Sequence, residues 1–351
     1  MAQSLPLMVL TALYIYGKAL LYACMVVPHL LLAQLRKPTK CLFWPRRRTT
    51  PPKCLDQVGQ HGYVTVKGLK FHYVEKGDRS RPLMLFVHGF PEFWYSWRFQ
   101  MNEFSKDYWT VAIDMRGYGD SAKPSNVSDY KLENMVDDIK EIVKALNKEK
   151  FILVAHDWGA VISWIFVDQH PEMVDKYIMM NGPHPKVHAI MMNRKEQASK
   201  SWYVFFFQLP FLPELWASWN DFGMFQRIFF TPGKNNPLMT EEDIEAFKYT
   251  FSQKGALTPP INYYRAALRR RISEGFGPKP KNPSQKVKER PQGLYIFGAK
   301  DIAIDIDGVA KHKSFFEPLQ TVIIDDGNHF IQQDEPKAVN DAMRSFLKQS
   351  T

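Results

Sequence analysis

Three residues have the side chains and positions to do nucleophilic chemistry: Asp157, Asp301 and His329. Asp157 lies in "ILVAHDWGA" (152–160), where strand-forming apolar residues turn sharply into "VISWIFV", a segment that reads as a buried helix. Ala155 and Gly159 are the small flanks of that turn. A strand–turn–helix junction of this kind is where many enzymes expose a nucleophile, usually serine. Serine suits acyl transfer. A carboxylate at the same spot suits displacement at a saturated carbon. Such an attack leaves an ester, so one hard step becomes two. The ester must then be hydrolysed, and a histidine held by an acid can take the proton from the attacking water. His329, in "GNH", and Asp301, in "AKD", are the right types, although Asp305 and Asp307 compete for the orienting role.

The elements around these residues must bring them together. "PLMLFVHG" (82–89), "WTVAIDM" (109–115), "FILVAHD" (151–157) and "KYIMMNG" (176–182) are continuous apolar runs, as expected of parallel strands covered on both faces. "YKLENMVDDIKEIVKAL" (130–146) has apolar residues at helical spacing with acids opposite. Two short strands around Gly68, within 62–77, read as a hairpin. This alternation predicts an α/β fold with a mostly parallel, doubly wound sheet. It stops near residue 184. Residues 185–285 read as helices and loops rich in aromatics, and strands return at 291–301 and 321–329. The interruption predicts a helical lid over the carboxyl ends of the strands, the edge where ligands bind in open α/β sheets. Asp157, Asp301 and His329 each follow a strand, so all three are expected at that edge.

Taken singly, each residue has a plainer reading: a lone aspartate at a strand end is commonly a helix cap, and a lone histidine is commonly structural. Their joint chemistry, their strand-end positions and their order, nucleophile then acid then histidine, favour catalysis. "HGFPEFWYSWRFQ", "DMRGYGDS", "AHDWGA" and "NYYR" together resemble the epoxide hydrolases of the α/β-hydrolase superfamily, from about residue 60 onward, and most closely its membrane-anchored vertebrate-type branch. The resemblance implies an α/β-hydrolase fold and a conversion of apolar or lipid-derived epoxides to vicinal diols. It makes Asp157 the nucleophile, His329 the general base and Asp301 its orienting acid. It makes the backbone N–H groups of Phe90 and Trp158 the oxyanion hole, and Tyr203 and Tyr264 the donors to the epoxide oxygen. Tyr263 stands beside Tyr264 as a competitor. Trp94 and Phe330 are expected to line the substrate pocket, Phe330 in place of a common Trp. A haloalkane dehalogenase would use indole or amide N–H groups on halide instead of two phenols. A non-catalytic binding protein would have no need of the intact acid, base and nucleophile.

The remaining sequence bears on location. "LPLMVLTALYIYGKALLYACMVVPHLLLAQL" (5–35) is long and apolar enough to cross a membrane, though Lys18 interrupts it and Pro28 would bend it. A signal peptide fits less well, because no positive region precedes the apolar run and no small-x-small cleavage site follows. An interfacial helix with Lys18 snorkelling is the other rival. Residues 36–53 hold seven Lys/Arg and no acid, a membrane-surface feature that accounts for much of the formal net charge of +10. The chain is thus expected to divide into an anchor (1–35), a basic Pro-containing linker (36–60), a core in two parts (61–184 and 286–351) and a lid (185–285). Positive charge after the apolar segment predicts a catalytic domain on the cytosolic face, most plausibly of the endoplasmic reticulum. Cys24, Cys41 and Cys54 all precede residue 55, so the rest of the chain contains no internal disulfide. "NVS" (126–128) is a glycosylation sequon, whereas Asn282 precedes Pro283 and is excluded. No zinc spacing, nucleic-acid motif, phosphate loop or dinucleotide fingerprint is present. The expected partners are therefore an epoxide, water and membrane lipid, with no nucleic acid, no metal and no cofactor.

Overall fold

A computed structural model describes residues 4–37, 42–229, 238–274 and 290–349. Cys41 and Asn282 lie outside the described residues. The apolar N-terminal segment is one helix, α1 (Leu5–Leu35), which continues through Pro28. The hairpin follows as β1 (Gln60–Val66) and β2 (Leu69–Lys76), with Lys67 and Gly68 at positive φ in the turn. Then come β3 (Leu83–Val87), α2 (Arg98–Phe104), β4 (Trp109–Ile113), α3 (Leu132–Ala145), β5 (Phe151–His156), α4 (Trp158–Gln169) and β6 (Val174–Met180). Among the described residues, six helices intervene before the next strand: α5 (Pro185–Met191), α6 (Lys195–Lys200), α7 (Trp202–Phe206), α8 (Leu212–Phe229), α9 (Glu241–Ser252) and α10 (Thr258–Glu274). The core resumes with β7 (Gln292–Gly298), α11 (Gly308–Phe315), β8 (Leu319–Ile324), α12 (Ile331–Asp334) and α13 (Pro336–Leu347).

The eight strands form one sheet in the order β1-β2-β4-β3-β5-β6-β7-β8. The pairs β1–β2 and β2–β4 are antiparallel, and the others are parallel. Every residue of β3, β4 and β5 is buried, which is why these strands read as unbroken apolar runs. The edge strand β1 instead alternates toward solvent. The chain winds left from β3 to β4 and then returns to place β5 on the other side of β3. That reversal opens a crevice at the carboxyl ends of β3 and β5.

Two local devices fix this edge. In "DMRGYGDS", Arg116 forms a buried pair with Asp138 of α3 at 2.6 and 2.7 Å. Asp114 accepts the Trp94 N–H at 3.0 Å and lies 2.7 Å from His72 Nδ1. The motif therefore ties the β4 loop to α3 and to the hairpin. In the lid, α8 breaks at Trp219–Phe222, where three successive residues take positive φ. The break turns Asn220 and Asp221 onto the linker: Asn220 N–H donates to Leu42 O at 2.7 Å, and Arg48 pairs with Asp221 at 2.8 Å.

Candidate active site

β5 ends at His156, and Asp157 turns the chain with φ 49° and ψ −119° before α4 begins. A non-glycine residue at such angles is strained, and strain of this kind concentrates at functional sites. The turn fits only because its neighbours are minimal. A Cβ on Gly159 would lie 2.2 Å from the Val87 carbonyl oxygen, and one on Gly182 would lie 2.4 Å from that of Asp157. Both positions therefore exclude any side chain.

The carboxylate is held at both oxygens. Phe90 N–H, in the loop after β3, donates to Asp157 Oδ1 at 2.7 Å. Oδ2 lies 3.4 Å from His329 Nε2, and His329 Nδ1 lies 2.9 Å from Asp301 Oδ2. Asp301, after β7, is fixed by the N–H groups of Ala303 (2.6 Å) and Ile304 (2.9 Å) on its Oδ1. Of the three aspartates in that loop, Asp301 is the one beside the histidine. Asp305 accepts the Asp307 N–H, and Asp307 pairs with Arg194. Trp158 opens α4, so its N–H is one of the helix's orphan donors and sits next to Asp157.

The charges are mutually supporting. Burial works to raise the Asp157 carboxyl, but His329, His156 and the Phe90 N–H outweigh it and hold it below the usual carboxylate range. Burial opposes ionisation of Asp301 in the same way, and His329 with the two loop N–H groups overcomes it. Burial would lower the His329 imidazole, yet Asp301 and Asp157 raise it well above its ordinary value. These influences favour a charged imidazole flanked by two ionised carboxylates.

Tyr203 on α7 and Tyr264 on α10 line the same cavity of about 160 Å³ as Asp157. Their rings meet edge to face with centroids 5.7 Å apart. Burial, then nearby groups including the Asp157 charge, push both phenols up, so both stay protonated. Tyr263 is buried but donates its hydroxyl to the Arg116 carbonyl at 2.7 Å, away from the cavity. Val161, Val204, Phe205 and Leu268 give the cavity an apolar wall. The Trp158 indole lines it too, edge-on to Tyr264 at 5.0 Å.

Two expected lining residues are elsewhere. Trp94 is buried beneath the hairpin, against His61 and His72, because its N–H is drawn to Asp114. Phe330 packs behind the histidine, with its ring 5.0 Å from His329, 5.9 Å from His156 and 4.9 Å from Phe229. Neither lines the cavity.

Sequence reasoning missed a supporting layer. Asn181, after β6, donates to Asp301 Oδ2 at 2.6 Å and accepts the Gly298 N–H at 3.2 Å. His156 Nδ1 lies 2.6 Å from Glu92 Oε2, and its Nε2 lies 2.7 Å from the His329 carbonyl oxygen. Glu92 also accepts from Gly89 N–H, Gln332 and Gln333. Glu92 and His156 therefore join the three loops that carry Phe90, Asp157 and His329. The one available signal was Glu92 itself, a carboxylate in the otherwise apolar stretch "HGFPEFW".

The model of the alpha/beta hydrolase fold family matches residues 82–336. Epoxide hydrolase 3 of Xenopus tropicalis is 40% identical over 345 residues, covering 95% of this chain and 91% of that protein. Epoxide hydrolase 4 of Mus musculus is 38% identical over 347 residues, covering 96% and 93%. Among solved structures, an epoxide hydrolase from Bacillus megaterium in complex with an inhibitor superposes with a TM-score of 0.73 at 30% identity, covering 82% of this chain and 100% of that one.

Proposed function

Because this chain belongs to the α/β-hydrolase fold family and, within it, to the epoxide hydrolases, we propose that it converts apolar or lipid-derived epoxides to vicinal diols through an ester on Asp157. The observation that carries this reading is that one apolar cavity is lined by a carboxylate held below its usual range and by two phenols pushed above theirs. A strained ring needs a nucleophile at carbon and an electrophile at oxygen, and the cavity holds both.

Asp157 Oδ2 is the attacking oxygen, because Oδ1 is bound by the Phe90 N–H at 2.7 Å whereas Oδ2 has only the longer 3.4 Å contact with His329. Attack forms the C–Oδ2 bond and breaks the ring C–O bond. Tyr203 and Tyr264 donate hydrogen bonds to the leaving alkoxide, which becomes the first hydroxyl of the diol once protonated. Oδ1 is now an ester carbonyl oxygen, already bound by the Phe90 N–H, and the Trp158 N–H is assigned as the second donor. Water then attacks the ester carbon while His329 takes its proton. The developing oxyanion meets those two N–H donors, and its collapse breaks the Asp157 Cγ–Oδ2 bond; Oδ2 leaves as the second hydroxyl with the proton His329 took from water, and the carboxyl left on Asp157 ionises, returning a proton to His329.

Ester hydrolysis requires neutral His329, whereas the free enzyme favours its charged form. In the free enzyme the imidazole is raised by two carboxylates. Esterification removes the Asp157 charge, so one of the two raising influences disappears and the His329 pKa falls. Neutral His329, the form that acts as base, then prevails above that lowered value. Asp157, held below its usual range, stays ionised further into acid. Lowering the pH should therefore slow ester hydrolysis before it slows ester formation. His329→Gln should produce the same block at every pH: epoxide consumed once, diol not released. Mass spectrometry after excess epoxide should find the adduct on the peptide containing Asp157. An unmodified protein that nonetheless binds the epoxide would refute the ester.

We also assign α1 as a membrane attachment, with the catalytic domain on the cytosolic face of the endoplasmic reticulum. Leu5–Leu35 has a mean hydropathy of 1.6 over its most apolar window. Arg36, Lys37, Arg46 and Arg47 follow it and are exposed. Arg48, by contrast, is taken up by Asp221 and Glu245. Asn126 is exposed and should stay unglycosylated in a eukaryotic cell. A glycosidase-sensitive mobility shift that Asn126→Gln abolishes would put the domain in the lumen.

A further inference from the structure

The N-terminal helix is bound to the lid along most of its length. Ile15, Ala19 and Leu30 are almost fully buried, and Tyr22, Ala23 and Val26 are partly buried against the protein. These positions follow one another at helical spacing, so they form a single seam. Tyr14 meets the Phe205 ring edge-on at 5.9 Å, and Tyr22 meets Trp202 at 5.9 Å. Leu30 packs with Leu42 and Trp219, and Leu42 is itself bonded to the lid through Asn220.

This docking conflicts with a helix that crosses a bilayer. At a rise of ~1.5 Å per residue, the seam from Ile15 to Leu30 uses about 23 Å of helix. The stretch ahead of Tyr14, Leu5–Leu13, spans only about 13 Å, less than half of a ~30 Å hydrocarbon core. If the docked part were to span instead, α7 and α10 would be drawn in with it. α10 carries Arg269, Arg270 and Arg271, which hydrocarbon disfavours strongly.

The opposite face of the same helix is bare and apolar. Leu10, Leu13, Leu20, Leu21, Leu31 and Leu32 are each more than half exposed. Exposed apolar surface on this scale marks an interaction site. Arg36 and Lys37 follow at its end, and Trp44 is 78% exposed shortly beyond. Apolar face, cations and an aromatic at the margin are the features of a helix lying in a membrane surface.

The seam also touches the catalytic cavity. Ile15 packs in one cluster with Phe205 and Leu268, with Met192 and Val204 against it, and those four lid residues line the cavity that contains Asp157. We propose that α1 does not cross the bilayer but lies along one leaflet while docked on the lid, and that the active site takes its epoxide from that leaflet beside the Phe205–Leu268 wall. The word epoxide here rests on the function proposed above; the placement of the helix does not.

The full chain, carrying one epitope before Met1 and a second after Thr351, can be tested in sealed microsomes with added protease. Both epitopes should share one fate, both cut or both protected. One cut and one protected would mean a spanning helix and would overturn the proposal, as would recovery of the chain in the soluble fraction. This readout needs no turnover, so a wild-type chain without epoxide hydrolysis would fail the functional reading and leave the topology legible. Ile15→Asn tests the link to the cavity. It should raise KM for a long-chain epoxide presented in vesicles by roughly tenfold, about 1.4 kcal/mol of binding, with kcat nearly unchanged and sedimentation with membranes retained. An unchanged KM would detach the helix from substrate entry.

Discussion

Asp157→Ala should abolish epoxide turnover, with a loss on the order of 10⁶-fold, the scale reached when a covalent nucleophile is removed. The proposed scheme has no bypass, because without the carboxylate no ester forms and His329 has nothing to hydrolyse. The loss should appear in kcat, since the apolar wall that binds the epoxide is untouched. Alanine at this position still has to adopt φ near 49°, so the fold must be checked alongside activity. Asp157→Asn is the sharper control. It keeps the size of the side chain and its acceptor toward the Phe90 N–H, and removes the charge. Slow recovery of activity, accompanied by the mass change of an amide becoming an acid, would show the site hydrolysing its own asparagine. Wild-type turnover in a folded Asp157→Ala protein would take Asp157 out of the mechanism.

The paired phenols should give the next largest effect. Tyr203→Phe and Tyr264→Phe each delete one donor to the developing alkoxide, a loss that typically costs about 2.7–4 kcal/mol. The surviving phenol covers part of each single loss, so the double variant should be nearly inactive. Packing is preserved, because Tyr264 is wedged edge-on among Phe90, Trp158 and Phe207 by its ring. The step affected should be ester formation, measured as the rate at which the Asp157 adduct appears in a single turnover. Hydrolysis of an ester already formed should change far less, since it depends on His329 and the main-chain N–H groups. A double variant that alkylates at the wild-type rate would assign the electrophilic role to other groups.

The sequence by itself determined the sheet and the positions of its chemical residues. Parallel strands covered on both faces must be apolar throughout, so β3, β4 and β5 announced themselves as continuous runs. Strand ends of a parallel sheet share one edge, so residues just past β5, β7 and β8 were bound to be neighbours. That topological fact brought Asp157, Asp301 and His329 within reach of each other before any distance was known. The turn at Asp157 was also visible, because only small flanks such as Gly159 tolerate the close approach to β3.

Tertiary structure alone decided which side chains face the cavity. Trp94 and Phe330 have the composition of a pocket wall, yet Asp114 draws one under the hairpin and packing against His156 and Phe229 holds the other behind His329. Tyr263 and Tyr264 are indistinguishable by type and adjacent in the chain. The rotation of α10 sends one hydroxyl to the Arg116 carbonyl and leaves the other residue lining the cavity with Asp157. Asn181 and the Glu92–His156 link act across tens to hundreds of residues, and no local pattern encodes such a pairing. The same holds for α1. Its apolar composition is equally suited to a membrane span or to a helix docked on one side, because hydropathy counts residues and does not record which face another helix covers. The seam from Ile15 to Leu30 exists only because Phe205, Leu268 and Trp219, nearly two hundred residues or more downstream, fold back to meet it.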